Sequence, residues 1–216
     1  MKASLFRRLW QPLKVLVSRA WGPRSVGGFI RGDGEFLANT RMGNSTIVFA
    51  RERLMVGDHV FVADHSVLDA THGLTIGEGC QLSYFTVVLT HSSHAAIRLY
   101  GRSYVKTPEK RFYMNAPVEI GAYSFVGVHS TILPGTRIGR GSIVTAHSMV
   151  KGGVYPDFSI LKGNPAKVVG DTRTTDARLL EECPELLVHY EQWAGRGALA
   201  GISEAGPCAS TKGVQA

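Results

Sequence analysis

The chain has 216 residues, 44% of them hydrophobic and 19% charged, with a formal net charge of +7. That is enough for one domain with a sizeable core and appendages, and no apolar run reaches the roughly twenty residues that span a bilayer. Cys80, Cys183 and Cys208 are an odd number without metal-ligand spacing, which suits a reduced, cytoplasmic compartment better than a disulfide framework.

The charge is uneven. Residues 1–31 hold Lys2, Arg7, Arg8, Lys14, Arg19, Arg24 and Arg31 and no acidic residue, whereas the other 17 Lys and Arg balance 17 Asp and Glu. Segment 1–28 therefore reads as a basic arm on a neutral body. At about 100° per residue, Leu5, Phe6, Leu9, Trp10, Leu13, Leu16, Val17 and Ala20 gather on one side of a helix over 4–21, with Pro12 as a kink. Arg7 and Lys14 border that side on one edge, Arg8 and Arg19 on the other. Such a helix suits peripheral contact with the inner face of the cytoplasmic membrane. It suits equally a cap that closes the body with the same apolar side.

The body, 29–170, is organised by a short period. An aliphatic residue returns every six positions at Ile120, Val126, Ile132, Ile138, Val144 and Val150, and Ser124, Ser130, Thr136, Ser142 and Ser148 each follow four places later. Six is neither a helical period nor plain strand alternation. It suits a chain that runs straight, turns a corner and runs straight again, with the aliphatic residue inward and small residues at the corner. Three units close a triangular coil, and coils stack as parallel strands about 4.8 Å apart. Going backwards, Val56, Val62, Leu68, Ile76, Leu82 and Val88 hold the same position, with two extra residues around His72-Gly73. Phe36, Met42 and Val48 are a weaker echo. Three buried aliphatics contribute roughly 5–9 kcal/mol per coil, less than the backbone entropy of ordering one coil, so several must stack.

The period breaks over about 92–115, in a segment holding Arg98, Tyr100, Arg102, Tyr104, Lys106, Lys110, Arg111 and Tyr113. An insertion that long in a compact domain points to function. Residues 171–194 read as helical, with Leu179, Leu186, Tyr190 and Trp193 on one stripe and Pro184 dividing it. Residues 195–216, rich in Gly, Ala and Ser, read as a disordered tail.

Two segments carry a resemblance. They are Phe125-Val126-Gly127-Val128-His129-Ser130-Thr131-Ile132-Leu133-Pro134-Gly135 and the closing Lys162-Gly163-Asn164-Pro165-Ala166-Lys167-Val168-Val169. With the repeat over 30–170, they are similar to the hexapeptide-repeat acyltransferases, and within them to sugar O-acetyltransferases of surface-polysaccharide synthesis. The resemblance implies an all-β fold: a left-handed parallel β-helix, flanked here by an N-terminal amphipathic helix and a C-terminal helix. The general preference for right-handed crossovers gives the opposite hand. It also implies acetyl-coenzyme A as donor, a sugar or glycan hydroxyl as acceptor in O-antigen or exopolysaccharide synthesis, and a homotrimer with sites between protomers.

Acyl transfer from a thioester to a hydroxyl needs a base near neutrality and a backbone N–H for the oxyanion. Of eight histidines, His129 and His147 each lie three places after an inward aliphatic and are eighteen apart, so they share one edge of successive coils. His129 also matches the family's catalytic-histidine motif, which makes it the expected base. His94 is the runner-up, since some relatives place the working histidine in that part of the chain. His91 and His94, with Arg98, Tyr100 and Arg102, are expected to orient the acceptor. By motif, Ala146, Ser148 and Lys151 line the pantetheine channel, and Asn164 and Lys167 lie near the nucleotide end. Arg137, Arg140, Lys151, Lys162, Lys167 and Arg173, against Asp157 and Asp171, suit a phosphorylated donor.

Other readings are an N-acetyltransferase of an amino sugar, a xenobiotic acetyltransferase and a non-catalytic β-helix. No metal and no nucleic acid are expected. The γ-class carbonic anhydrases share the fold and use three histidines, two with four residues between; no pair here has that spacing.

Overall fold

Three short strands per coil, separated by corners, generate three parallel sheets. The structure, a computed structural model, describes residues 2–19, 22, 24–200 and 202. The first face contains Phe36–Gly43, Phe61–Val62, Gln81–Leu82, Phe125–Val126, Ile143–Val144 and Ser159–Gly163. The second stacks Ile47–Phe49, Val67–Asp69, Val87–Val88, Thr131–Ile132 and Met149–Val150. The third stacks Leu54–Val56, Leu74–Ile76, Val118–Ile120, Thr136–Ile138 and Gly153–Tyr155. Consecutive coils pair in parallel on every face, which makes the body a parallel β-helix.

The twelve inward residues from Val56 to Val150 are all between 0% and 2% exposed. Met42 and Val48 pack against that core. Phe36 does not hold the inward position: its neighbour Leu37 is buried instead. The reason is local. Ser25–Ile30 and Phe36–Gly43 form an antiparallel hairpin with a register shift between Gly27 and Phe29, so counting by six fails there.

The Ser and Thr at the fourth place bind one coil to the next. Ser124, Ser130 and Thr136 hydroxyls donate to the carbonyls of Gly139, Thr145 and Lys151 at 3.2, 3.0 and 3.1 Å. All are buried, where a carbonyl without a donor is costly. Glycine is required where coils touch: a Cβ on Gly77 or Gly121 would lie 2.4 Å from the backbone N of Ala122 or Arg140.

Coil length changes along the chain. The pairs Leu54–Leu74, Phe61–Gln81 and Val67–Val87 are twenty residues apart, whereas Glu119–Arg137, Phe125–Ile143 and Thr131–Met149 are eighteen apart. The surplus sits at one corner, between the second and third faces. It occurs at Arg51–Arg53, a 3-10 turn entered through Ala50 at φ 50°, and again at 70–73. Only the second was legible as two extra residues. The long insertion enlarges this same corner a third time. It is not all loop: helix His94–Tyr100 and a 3-10 turn Gly101–Ser103 fill it, and His91–Ser92 paired with Met114–Asn115 closes its neck.

The N-terminal helix α1 spans Lys2–Arg19 without a break at Pro12. Its contacts correct one expectation. Gln11 is 6% exposed and donates from Nε2 to Gly28 O, and Asn44 Nδ2 donates to Ser18 Oγ at 3.3 Å. The helix packs on the hairpin with its polar side, while Leu13, Leu16 and Val17 are exposed.

By contacts, the chain divides into Met1–Gly170 and Asp171–Ala216. In the second unit, Thr172–Glu182 is capped by the Asp171 carboxylate, which accepts from the Arg173 N–H. A 3-10 turn at Pro184–Leu186 leads into helix Leu187–Ala194. This turn splits the expected stripe: Leu179 and Leu186 are exposed, whereas Tyr190 and Trp193 meet edge to face at 5.1 Å. Residues 195–200 form hydrogen-bonded turns, and the Ala198 carbonyl accepts from Arg173. Of the tail read over 195–216, residue 201 and the stretch 203–216 lie outside the described residues.

Candidate active site

The enlarged corner gathers a carboxylate, two imidazoles and a phenol. Asp69 ends a strand of the second face and is 2% exposed. One oxygen accepts from Thr71 N at 3.0 Å and from its hydroxyl at 2.5 Å. The other accepts from Thr90 N and Oγ1, both at 2.9 Å. Burial alone raises the Asp69 pKa. These hydrogen bonds outweigh it and hold the carboxyl well below the usual carboxylate range. The site therefore contains a fixed negative charge.

His91 Nδ1 lies 2.7 Å from Asp69 Oδ2. The contact has the distance of a hydrogen bond but not its alignment; such contacts commonly straighten only when substrate is bound. His72, from the preceding coil, and Tyr113, from the returning arm of the insertion, complete the group. Ring centroids are 5.8 Å apart for His72–His91, 5.7 Å for His91–Tyr113 and 6.1 Å for His72–Tyr113. His72 Nδ1 is buried without a hydrogen-bond partner among the described residues.

The other expected acceptor residues follow directly. His94 opens the inserted helix, its Nδ1 2.8 Å from Ser92 Oγ, and its carbonyl accepts from Arg98. Tyr100 is half-buried, with its hydroxyl accepting from Arg111 N at 3.0 Å, and Arg102 is exposed. The insertion also holds Lys106, Lys110 and Arg111 against Glu109 alone, and among the described residues none of its cations forms an ion pair.

His129 occupies a different corner, between the first and second faces. Its backbone is left-handed at φ 57°, and its ring is stacked between Phe85 at 4.7 Å and His147 at 5.1 Å. His65 continues the stack beyond Phe85 at 5.3 Å. His129 is exposed and has no ion pair among those described. No described ring contact joins it to His91.

The expected donor residues lie on later coils. Ala146, Lys151, Asn164 and Lys167 are exposed. Ser148 is not: at 2% exposure, its hydroxyl is 3.0 Å from Thr145 Oγ1 and accepts from Gly163 N at 3.1 Å. Its side chain belongs to the corner and is closed to a channel. The basic cluster is also smaller than its sequence count. Arg137 pairs with Glu119, Arg140 with Asp157 and Arg173 with Asp171, leaving Lys151, Lys162 and Lys167 without an ion pair among the described residues. Cys80 is inert here: burial pushes its thiol up to about 11. Among the described residues, no three His, Cys, Asp or Glu side chains come together as metal ligands.

Asp69, His72 and Tyr113 had no assigned role in the sequence reading. The usable signal was the break in the period at His72-Gly73, next to a carboxylate that directly follows an inward leucine.

No family model matches the chain. It is 30% identical over 147 residues to an Escherichia coli K12 protein named as a lipopolysaccharide biosynthesis O-acetyl transferase, across 65% of this chain and 74% of that protein. A Mycobacterium tuberculosis protein named as an acetyltransferase is 46% identical over 56 residues, 26% of this chain and only 18% of that longer protein. Among solved structures, a hexapeptide-repeat acetyltransferase of Vibrio cholerae, complexed with acetyl coenzyme A, gives a TM-score of 0.51 at 23% identity. That match covers 59% of this chain and 64% of that one, and it concerns the fold alone. With three parallel faces repeating every coil and a relative matched over most of its length, the chain belongs to the hexapeptide-repeat acyltransferase family.

Proposed function

We propose that the protein is an acetyl-coenzyme A-dependent O-acetyltransferase acting on a sugar hydroxyl in bacterial surface-polysaccharide synthesis, with His91 as general base. The contact between His91 Nδ1 and the buried Asp69 carboxylate carries this assignment. A carboxylate on Nδ1 fixes the tautomer that leaves Nε2 free to take a proton, and it stabilises the imidazolium that results.

In this mechanism, Nε2 accepts the acceptor hydroxyl proton as the oxygen attacks the thioester carbonyl. The tetrahedral adduct collapses, and the thiolate leaves with the proton returned by His91. His94 and the cations of the inserted arm, Arg98 and Arg102 among them, hold the acceptor. Ala146, Lys151, Asn164 and Lys167 line the donor path. The O-acetyl transferase name of the Escherichia coli relative supports the hydroxyl acceptor; family membership supports the donor, the left-handed coil and assembly as a trimer.

The sequence motif assigns the base to His129. That ring lies in an aromatic stack and has no ion pair with a carboxylate among the described residues, so the assignment moves to His91. Turnover with acetyl-coenzyme A and candidate sugars tests it. His91→Ala is expected to lose about 10²–10⁴-fold in kcat, with donor affinity unchanged, and His129→Ala to stay within about tenfold. The reverse order would return the base to His129. Transfer to amino sugars alone would replace the hydroxyl acceptor with an amine.

A further inference from the structure

We propose that α1 docks this protein on an anionic phospholipid bilayer, using the face opposite the one that seats it on the β-helix. At about 100° per residue, Gln11, Val15 and Ser18 fall on one side of the helix, and this is the seated side. Gln11 is buried on Gly28 O, Val15 is half-buried, and Ser18 Oγ accepts from Asn44. On the far side, Leu13, Leu16 and Val17 are 45%, 68% and 44% exposed, with Trp10 at the margin, 46% exposed. Polarity is thus inverted relative to a helix that only caps a core. The polar side is buried, and a contiguous apolar stripe is presented outward. Soluble surfaces seldom carry such a stripe without something to cover it.

The charges select the cover. Lys2, Arg7, Arg8, Lys14 and Arg19 belong to this helix, and no acidic residue occurs before Asp33. In a two-fold contact with a second copy, the same patch meets itself, so these cations would face their own kind. The rest of the chain balances its charges and offers no acidic excess. An anionic bilayer supplies hydrocarbon for the leucines and phosphates for the cations together. Among the described residues no helix is long and apolar enough to cross a membrane, so α1 lies in the plane of the interface.

The test is flotation of the full chain with vesicles of phosphatidylglycerol and phosphatidylcholine, against phosphatidylcholine alone, at low and high salt. The wild type is expected to float with the anionic vesicles only, and to be released by salt. Replacing Leu13, Leu16 and Val17 together by Ser is expected to lower the partition coefficient roughly a hundredfold, as three apolar anchors leave the interface. Because these side chains are exposed, the variant's melting temperature should match the wild type. Wild-type protein that stays unbound with anionic vesicles overturns the proposal, as does a triple variant that floats equally well. A variant whose only change is a smaller mass by light scattering also overturns it, because a second copy then covers the stripe.

Discussion

At the corner between the first and second faces, His65, Phe85, His129 and His147 stack one per coil, with centroids 4.7 to 5.3 Å apart. All four have φ between 57° and 61°. At the corner between the second and third faces, His72, His91 and Tyr113 instead cluster, with His91 against a buried carboxylate. In the first case the repeat supplies each ring with the same kind of neighbour above and below, and the interaction is stacking. Among the described residues no imidazole of this ladder forms an ion pair. In the second case the repeat is interrupted, and Thr71 from the extra residues and Thr90 just before the insertion donate to Asp69. Among the described residues, the ion-pair contact between a carboxylate and a histidine occurs where the unit is broken.

The largest expected effect tests that charge. Asp69→Asn removes the stabilisation of an imidazolium at His91, so kcat is expected to fall by roughly 10² or more, while the KM for donor holds. A variant that is merely loosened would move both. The same carboxylate also links stability to pH. Its folded pKa lies below the ordinary range, so its contribution is fully present above that range and is lost as pH falls through the lowered value. Urea midpoints of wild type and Asp69→Asn should therefore differ from pH 5 upward and converge in strong acid. A constant gap across that span would show that Asp69 does not titrate as the geometry requires.

A second contrast concerns space rather than charge. A Cβ on Gly77, at the corner between the third and first faces, meets Ala122 N at 2.4 Å and Cα at 2.6 Å. Backbone cannot yield there, and Gly77→Ala is expected to cost about 1–3 kcal/mol or more. Gly73, at the enlarged corner, meets only Pro117 Cβ at 3.5 Å, although its φ is +94°. Gly73→Ala is expected to cost about 1–2 kcal/mol, from backbone strain alone. Thermal melts that rank Gly73→Ala as the worse variant would mean that the interrupted corner is as tightly stacked as the others.

These contrasts also explain what could be read in advance. The inward aliphatics, the fourth-place Ser and Thr, and the shared edge of His129 and His147 all repeat at fixed intervals, so each coil confirms the next. Leu37 was missed because an antiparallel hairpin obeys no six-residue count. Asp69 and His91 escaped pairing because their contact joins successive coils at the one corner whose length varies. For α1 the sequence leaves two readings of the apolar side, a membrane contact and a cap on the body, because periodicity does not say which side is seated; Gln11 and Ser18, which hydrogen-bond to Gly28 and Asn44, show that the polar side is the seated one.

The smallest expected effect concerns the ladder, and it sharpens the comparison most directly. Phe85 stacks on His129 at 2° between planes and remains 44% exposed. Phe85→Leu keeps a Cβ-bearing residue at φ 58°, so the backbone strain is unchanged and only the ring contacts are lost. An aromatic pair contributes about 0.5–1.5 kcal/mol beyond buried area. With half the ring in water, the loss should sit at the lower end, near 0.5 kcal/mol in a urea titration. Turnover is the more telling readout. If the ladder only holds coils together, kcat and KM should match the wild type, because His91 and Asp69 do not touch these rings. If His129 takes the proton, removing the ring that fixes its plane should lower kcat severalfold at unchanged stability. That outcome would transfer the chemistry from the broken corner to the regular one.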